Sequence, residues 1–232
     1  PDSVHWVDVT HIINPSNFYV RFSDEASILW KIIPREQLKH PDSINIGDLV
    51  FYENKKREKN LMRGLIKEIT KLENSCTIYS IFAIDFGFYD REITVNNIWQ
   101  CKHNRLPPLA HLCELYQCVP NTKDLKWSKQ SIEAMVTFVG PTKVQLIMKG
   151  KSPQGKYSVQ INNHPCDVAT MLILANCAWL AYAPPTLYAL HDSNGVSRIC
   201  HQVVCDSTYY GNCLSKCVKM SVGKTRVQCI RS

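Results

Sequence analysis

Between Gly47 and Val95 the sequence sets four short strand-like runs into about fifty residues, and nothing else in it restricts the fold as much. The runs are Asp48 to Glu53, Met62 to Thr70, Thr77 to Asp85 and Arg91 to Val95. Polar or glycine-bearing turns separate them at Asn54 to Asn60, Lys71 to Ser75 and Phe86 to Asp90. So short an antiparallel sheet exposes its edges unless it closes, so a small barrel of four or five strands is expected here.

The flanking sequence has longer periods. Residues 4–22 alternate, with Val7 and Val9 on one face and Phe18, Val20 and Phe22 following the break at Asn14-Pro15-Ser16-Asn17, which reads as a β-hairpin. Ser23 and Asp24 can cap a helix carrying Ile28, Leu29, Ile32 and Ile33, which Pro34 ends. After Leu106-Pro107-Pro108, Ser128 can cap a helix carrying Ile132, Met135 and Val136. Strands at Val144 to Met148 and Tyr157 to Ile161 follow, joined by the polar loop Lys149 to Lys156. Asp167 then caps an apolar helix with Val168, Leu172, Ala175 and Trp179 on one stripe. The run Ala169 to Ala183 is broken by Asn176 and is shorter than the roughly 20 residues a membrane span needs, so a buried helix and no membrane partner are expected. The order is β-β-α, barrel, α-β-β-α. The expected divisions are residues 1–46, 47–105, 106–183 and an accessory segment 184–232.

Lys and Arg total 27 against 20 Asp and Glu, an excess too modest for a dedicated nucleic-acid binder, though it leaves RNA contact open. Residues 1–15 lack a basic start followed by an apolar stretch, so no secretory signal is expected there. The 11 cysteines are odd in number and irregularly spaced, which favours reduced, buried thiols over a disulfide scaffold. In the tail, Cys200, Cys205, Cys213, Cys217 and Cys229 lie near His191 and His201, yet only Cys213 and Cys217 approach zinc-ligand spacing. No metal and no cofactor are expected.

A barrel set between β-β-α and α-β-β-α halves resembles the extended Tudor domain. The residues that carry the likeness are Val9-Thr10-His11-Ile12-Ile13-Asn14-Pro15-Ser16-Asn17-Phe18-Tyr19-Val20, Gly47-Asp48-Leu49-Val50, Arg63-Gly64, Ile84-Asp85-Phe86-Gly87, Leu106-Pro107-Pro108 and Ala178. The likeness covers about residues 4–182. The resemblance implies an α+β fold: a Tudor β-barrel inserted into a split staphylococcal-nuclease-like domain of the oligonucleotide-binding (OB) type. It also implies a non-catalytic scaffold of the piRNA pathway, acting in cytoplasmic germ granules (nuage) of the germline in RNA-mediated gene silencing. The partner it implies is the Arg-rich N-terminal peptide of a PIWI-family Argonaute.

Such domains capture symmetrically dimethylated arginine in a cage of aromatic rings, where each cation–π contact is worth about 0.5–2 kcal/mol. Against that pattern Asn54, Met62 and Ala83 stand where rings are expected, and Phe88 stands where an asparagine is expected. Only Phe86 keeps its ring. Recognition independent of methylation is therefore expected. The peptide would contact Met62, Phe86, Phe88 and Tyr89 in the groove between barrel and nuclease-like half, with Asp85, Asp90 or Glu53 pairing arginine.

Blander readings stand beside these. Phe86, Phe88 and Met62 can be barrel core, Asp85 can cap a turn, and the five tryptophans can be packing residues. Catalysis would require clustered carboxylates, and Asp8, Asp24, Glu25, Arg21 and Arg35 have no spacing that gathers them. RNA binding would use the basic tail with Tyr19, Tyr157, Tyr209 and Tyr210 as stacking faces. A purely architectural or dimerising role fits if the groove is filled by its own side chains.

Overall fold

A computed structural model describes residues 3–25, 38–54, 61–73, 76–101, 106–151, 155–163, 166–181, 189–191 and 197–199. The hairpin forms as expected from β1 (Val4–Asn14) and β2 (Asn17–Phe22). Its turn is local chemistry, because Asn14 Oδ1 accepts the Ser16 N–H at 2.9 Å and mimics a backbone turn. The helix expected after Ser23 lies outside the described residues apart from its first turn at 23–25.

The barrel consists of β3 (Leu49–Tyr52), β4 (Met62–Lys71), β5 (Thr77–Ala83), β6 (Phe88–Thr94) and β7 (Ile98–Gln100), in the spatial order β6-β5-β4-β3-β7. The fifth strand, β7, pairs with β3, which agrees with the four or five strands expected, although its position was not marked in the sequence. β6 begins at Phe88, so Phe88 and Tyr89 are strand residues and not part of the turn.

The chain then returns through β8 (His111–Leu115) and β9 (Cys118–Pro120), two short strands that the sequence reading passed over. Helix α1 (Lys129–Val139) follows, then β10 (Val144–Lys151), β11 (Tyr157–Asn163), β12 (Cys166–Asp167), helix α2 (Val168–Leu174) and β13 (Ala178–Leu180). β10 pairs with β1, β1 with β2, β2 with β8, β8 in parallel with β11, and β11 with β10, so this second sheet also closes on itself. The five-stranded barrel leaves from the end of β2 and re-enters at β8, which is hydrogen-bonded to β2 through Phe18↔Cys113 and Val20↔His111. An insertion between the ends of two neighbouring strands leaves the ring they belong to intact. Val7, Phe18, Val20, Met135, Leu146, Ile161 and Leu172 form the buried core of that ring.

Ser128 caps α1, accepting the Ser131 N–H at 3.0 Å, and Asp167 caps α2, accepting the Thr170 N–H at 3.0 Å; both caps were expected. Two details differ from expectation. Val136 is exposed, and the inner face of α1 is made by Ser131, Met135 and Val139. α2 also ends at Leu174, well short of Ala183. Asn176 adopts φ 55°, its N–H bonds Ile173 O at 3.0 Å, and the Cys177 N–H reaches back to Leu172 O at 2.8 Å. This is a left-handed terminator that asparagine tolerates. Trp179 therefore lies on β13, paired with Val119 and exposed, and Ala175 caps the helix. Trp6 is exposed as well, so two of the tryptophans are not packing residues.

Cys113, Cys118 and Cys177 are buried thiols, in line with the reading of small hydrophobes, whereas Cys166 is disulfide-bonded. Loss of water pushes the Cys113 and Cys118 thiols up to about 12, with Glu114 and Asp167 adding to the effect. In the tail a short pair forms between β14 (Ala189–His191) and β15 (Ser197–Ile199). The tail cysteines, His201, Tyr209, Tyr210 and the hairpin expected around Gly223 lie outside the described residues. Among the described residues, no helix is long and apolar enough to cross a membrane.

Candidate functional site

The segment Ile84-Asp85-Phe86-Gly87 joins β5 to β6 and faces the strands of the OB-type ring. The Phe86 and Gly87 N–H groups both bond Ala83 O, at 3.1 and 2.8 Å, and Gly87 completes the turn at φ +85°.

Asp85 points inward. Its carboxylate receives Arg63 Nε at 2.9 Å and Nη2 at 2.6 Å, and the Leu109 N–H at 3.1 Å. Arg63 also donates to Leu106 O at 3.0 Å and Pro107 O at 2.9 Å, and both side chains are only 1% exposed. The pair thus ties the barrel to the Leu106-Pro107 segment that leads back to β8. Asp85 is neither a turn cap nor available to a ligand.

Asp90, the second carboxylate expected to pair a peptide arginine, is also engaged internally. It accepts Tyr52 Oη at 3.0 Å and Asn54 Nδ2 at 2.7 Å inside the barrel. Tyr52 fits there because position 64 is glycine: a Cβ on Gly64 would come within 2.6 Å of the Tyr52 ring. Asn54, Met62, Ala83 and Phe88 are all at most 8% exposed, the last three within the barrel core. Three ring positions of the expected cage and its asparagine position are therefore filled by the barrel's own interior, as the blander reading of Met62 and Phe88 allowed.

Phe86 differs from these four, being half-buried, and its ring lies 5.7 Å from that of Phe88. Thr10 Oγ1 on β1 donates to Phe86 O at 2.7 Å, which fixes the turn against the ring of strands. Tyr19 on β2 packs over Gly87 and stands 6.0 Å from Phe82, which is itself 5.0 Å from Tyr89. Tyr89 is 55% exposed, and Glu53 is half-buried at the end of β3. Of the nine candidate residues, Glu53, Phe86 and Tyr89 thus remain reachable from solvent.

Sequence reasoning weighed Arg21 only for catalysis and missed its place beside Phe86. It lies on the same face of β2 as Tyr19, with its guanidinium 4.9 Å from the centre of the Phe86 ring and 3.7 Å from Asp8 Oδ2. Strict alternation along β2 carries the signal, since Phe18 and Val20 fill the core and Tyr19 and Arg21 face the other way. Glu25, just beyond β2, sits 3.0 Å from His111 Nε2. Tyr19 and Tyr157 are half-buried against aromatic neighbours and are not the open stacking faces that an RNA reading asked for. Among the described residues, no group of three or more His, Cys, Asp and Glu side chains is placed to hold a metal ion.

A Tudor barrel inserted in a split OB-type ring defines the extended Tudor fold. Solved structures agree with it. Extended Tudor domain TD3 of mouse TDRD1, in complex with a MILI peptide containing dimethylarginine, has a TM-score of 0.64 at 17% identity, over 77% of this chain and 94% of that one. A variant of the Drosophila melanogaster Papi extended Tudor domain, in complex with an unmethylated Piwi N-terminal peptide, has a TM-score of 0.64 at 14% identity, over 77% and 99%. The human TDRD1 extended Tudor domain, in complex with a symmetrically dimethylated peptide, has a TM-score of 0.63 at 16% identity, over 77% and 91%. No protein-family model matches the sequence, and no curated protein matches it.

Proposed function

We propose that this chain is a non-catalytic recognition module. It holds an Arg-rich N-terminal peptide of a PIWI-clade Argonaute in the groove between barrel and OB-type ring, and it does so without requiring arginine methylation. The observation that carries this reading is that Asn54, Met62, Ala83 and Phe88 are buried, so no open set of rings awaits a methylated guanidinium. A methylated arginine has little advantage where, of the expected cage, only Phe86 offers a ring to the extra methyl groups. The fold supports peptide binding as the mode, since domains of this fold have been crystallised with dimethylated and with unmethylated peptides. A scaffold of this kind would act in cytoplasmic germ granules, bringing an Argonaute to other components of a silencing pathway.

The exposed ring of Tyr89 gives a test that does not disturb the core. Tyr89→Ala is expected to weaken an unmodified Arg-rich Argonaute peptide by about 3- to 30-fold, the range a lost ring contact to a cation spans, with thermal stability unchanged. Binding should also decline only gently with salt. Unchanged affinity in Tyr89→Ala would move the peptide off this face, and a steep salt dependence would favour RNA as the ligand.

A further inference from the structure

The ring of Phe86 and the carboxylate of Asp8 together make a site for a guanidinium, and the chain's own Arg21 occupies it. We propose that Arg21 is an internal competitor: an incoming peptide arginine binds by displacing it from Phe86 and Asp8. This rests on the peptide-binding reading above and adds a regulation of the same groove. Three observations carry it. The Arg21 guanidinium is stacked 4.9 Å from the Phe86 ring centre, the arrangement that a ligand arginine would adopt. Its contact with Asp8 is long, 3.7 Å from a single nitrogen, so the carboxylate is not held in the paired two-bond geometry that arginine can form. Its Nε is buried without a hydrogen-bond partner. An arginine held by a ring and a long ion pair, with one donor unsatisfied, is poorly matched to its site. A peptide arginine that pairs Asp8 with two hydrogen bonds would displace it, and the released Arg21 would regain water at its Nε.

The inference predicts that removing the competitor tightens binding. Arg21→Ala should raise the affinity of an unmodified Arg-rich peptide by about 3- to 30-fold. Arg21→Lys keeps the positive charge and gives up the planar stack, so a smaller gain there separates displacement from a change in charge. In a Phe86→Ala background, Arg21→Ala should give a much smaller gain, because the stacking surface being contested is gone. An independent readout needs no substitution. In the intact chain the Arg21 Nε–H resonance should carry a ring-current shift and lose it as peptide is added.

If the intact chain binds the peptide while Arg21→Ala binds equally or more weakly and the Nε–H resonance does not move, the competitor role is overturned and peptide binding stands. If neither the intact chain nor any variant binds an Arg-rich peptide, the peptide reading falls, and the competitor role falls with it.

Discussion

Asp85→Asn is expected to lower the stability of the domain by about 3–5 kcal/mol, because it removes one charge of a buried pair and keeps the other. Arg63 would remain 1% exposed with its charge uncompensated, since its other acceptors, Leu106 O and Pro107 O, are neutral. Against a total of about 5–15 kcal/mol for a typical domain, this is a large fraction. Urea unfolding of the intact chain and the variant measures the effect directly. Replacing both partners by apolar residues should not restore stability in full, because the Leu109 N–H and the carbonyls of Leu106 and Pro107 would then lose their partners. A loss below about 1 kcal/mol for Asp85→Asn would mean that the pair is not the tie between barrel and OB-type ring described here.

Gly87→Ala acts on the same junction by a different mechanism and should cost about 2–5 kcal/mol, about 1–2 for the backbone and 1–3 for overpacking. Residue 87 has φ +85°, which side chains resist, and an added Cβ would lie 2.0 Å from Tyr19 Cγ. At that distance either the turn or the Tyr19 ring has to shift. Trimming the ring should return the packing part of the loss but not the backbone part, so Gly87→Ala with Tyr19→Ala should cost less than the two single losses added together. Additive losses would show that residues 87 and 19 do not press on one another.

The parts of the fold that were legible are those written in local chemistry. Alternation marked β1 and β2, and turn residues separated β3 to β6. Ser128 and Asp167 announced helices because a cap needs only its own N-terminal turn. Among the elements that were missed, β7, β8, β9 and β13 are three to five residues long and exist because distant segments pair with them. A three-residue strand has no period to read. The apolar run after Asp167 suggested one long helix, since apolar content alone does not separate a helix that turns back at Asn176 from one that continues.

The site divides in the same way. The substitutions at Asn54, Met62, Ala83 and Phe88 could be read by position, and their replacement of a ring cage follows from residue type. Whether a carboxylate faces a ligand or the interior is settled by partners far along the chain. Asp85 meets Arg63 across 22 residues, and Asp90 meets Tyr52 across 38. No spacing rule links them, so both were placed in the groove when they belong to the interior. Arg21 could have been found from the face of β2 opposite Phe18 and Val20, but its position over Phe86 depends on how the barrel docks on the OB-type ring.

The measurement that tests the central claim most directly is calorimetric titration of this chain with one Arg-rich Argonaute N-terminal peptide, prepared unmodified and symmetrically dimethylated. A barrel whose cage positions are filled by its own core should bind the unmodified peptide at least as tightly as the methylated one. A preference of tenfold or more for the methylated peptide, about 1.4 kcal/mol, would contradict the account, because it would require rings to close around the methyl groups where Asn54, Met62, Ala83 and Phe88 are buried.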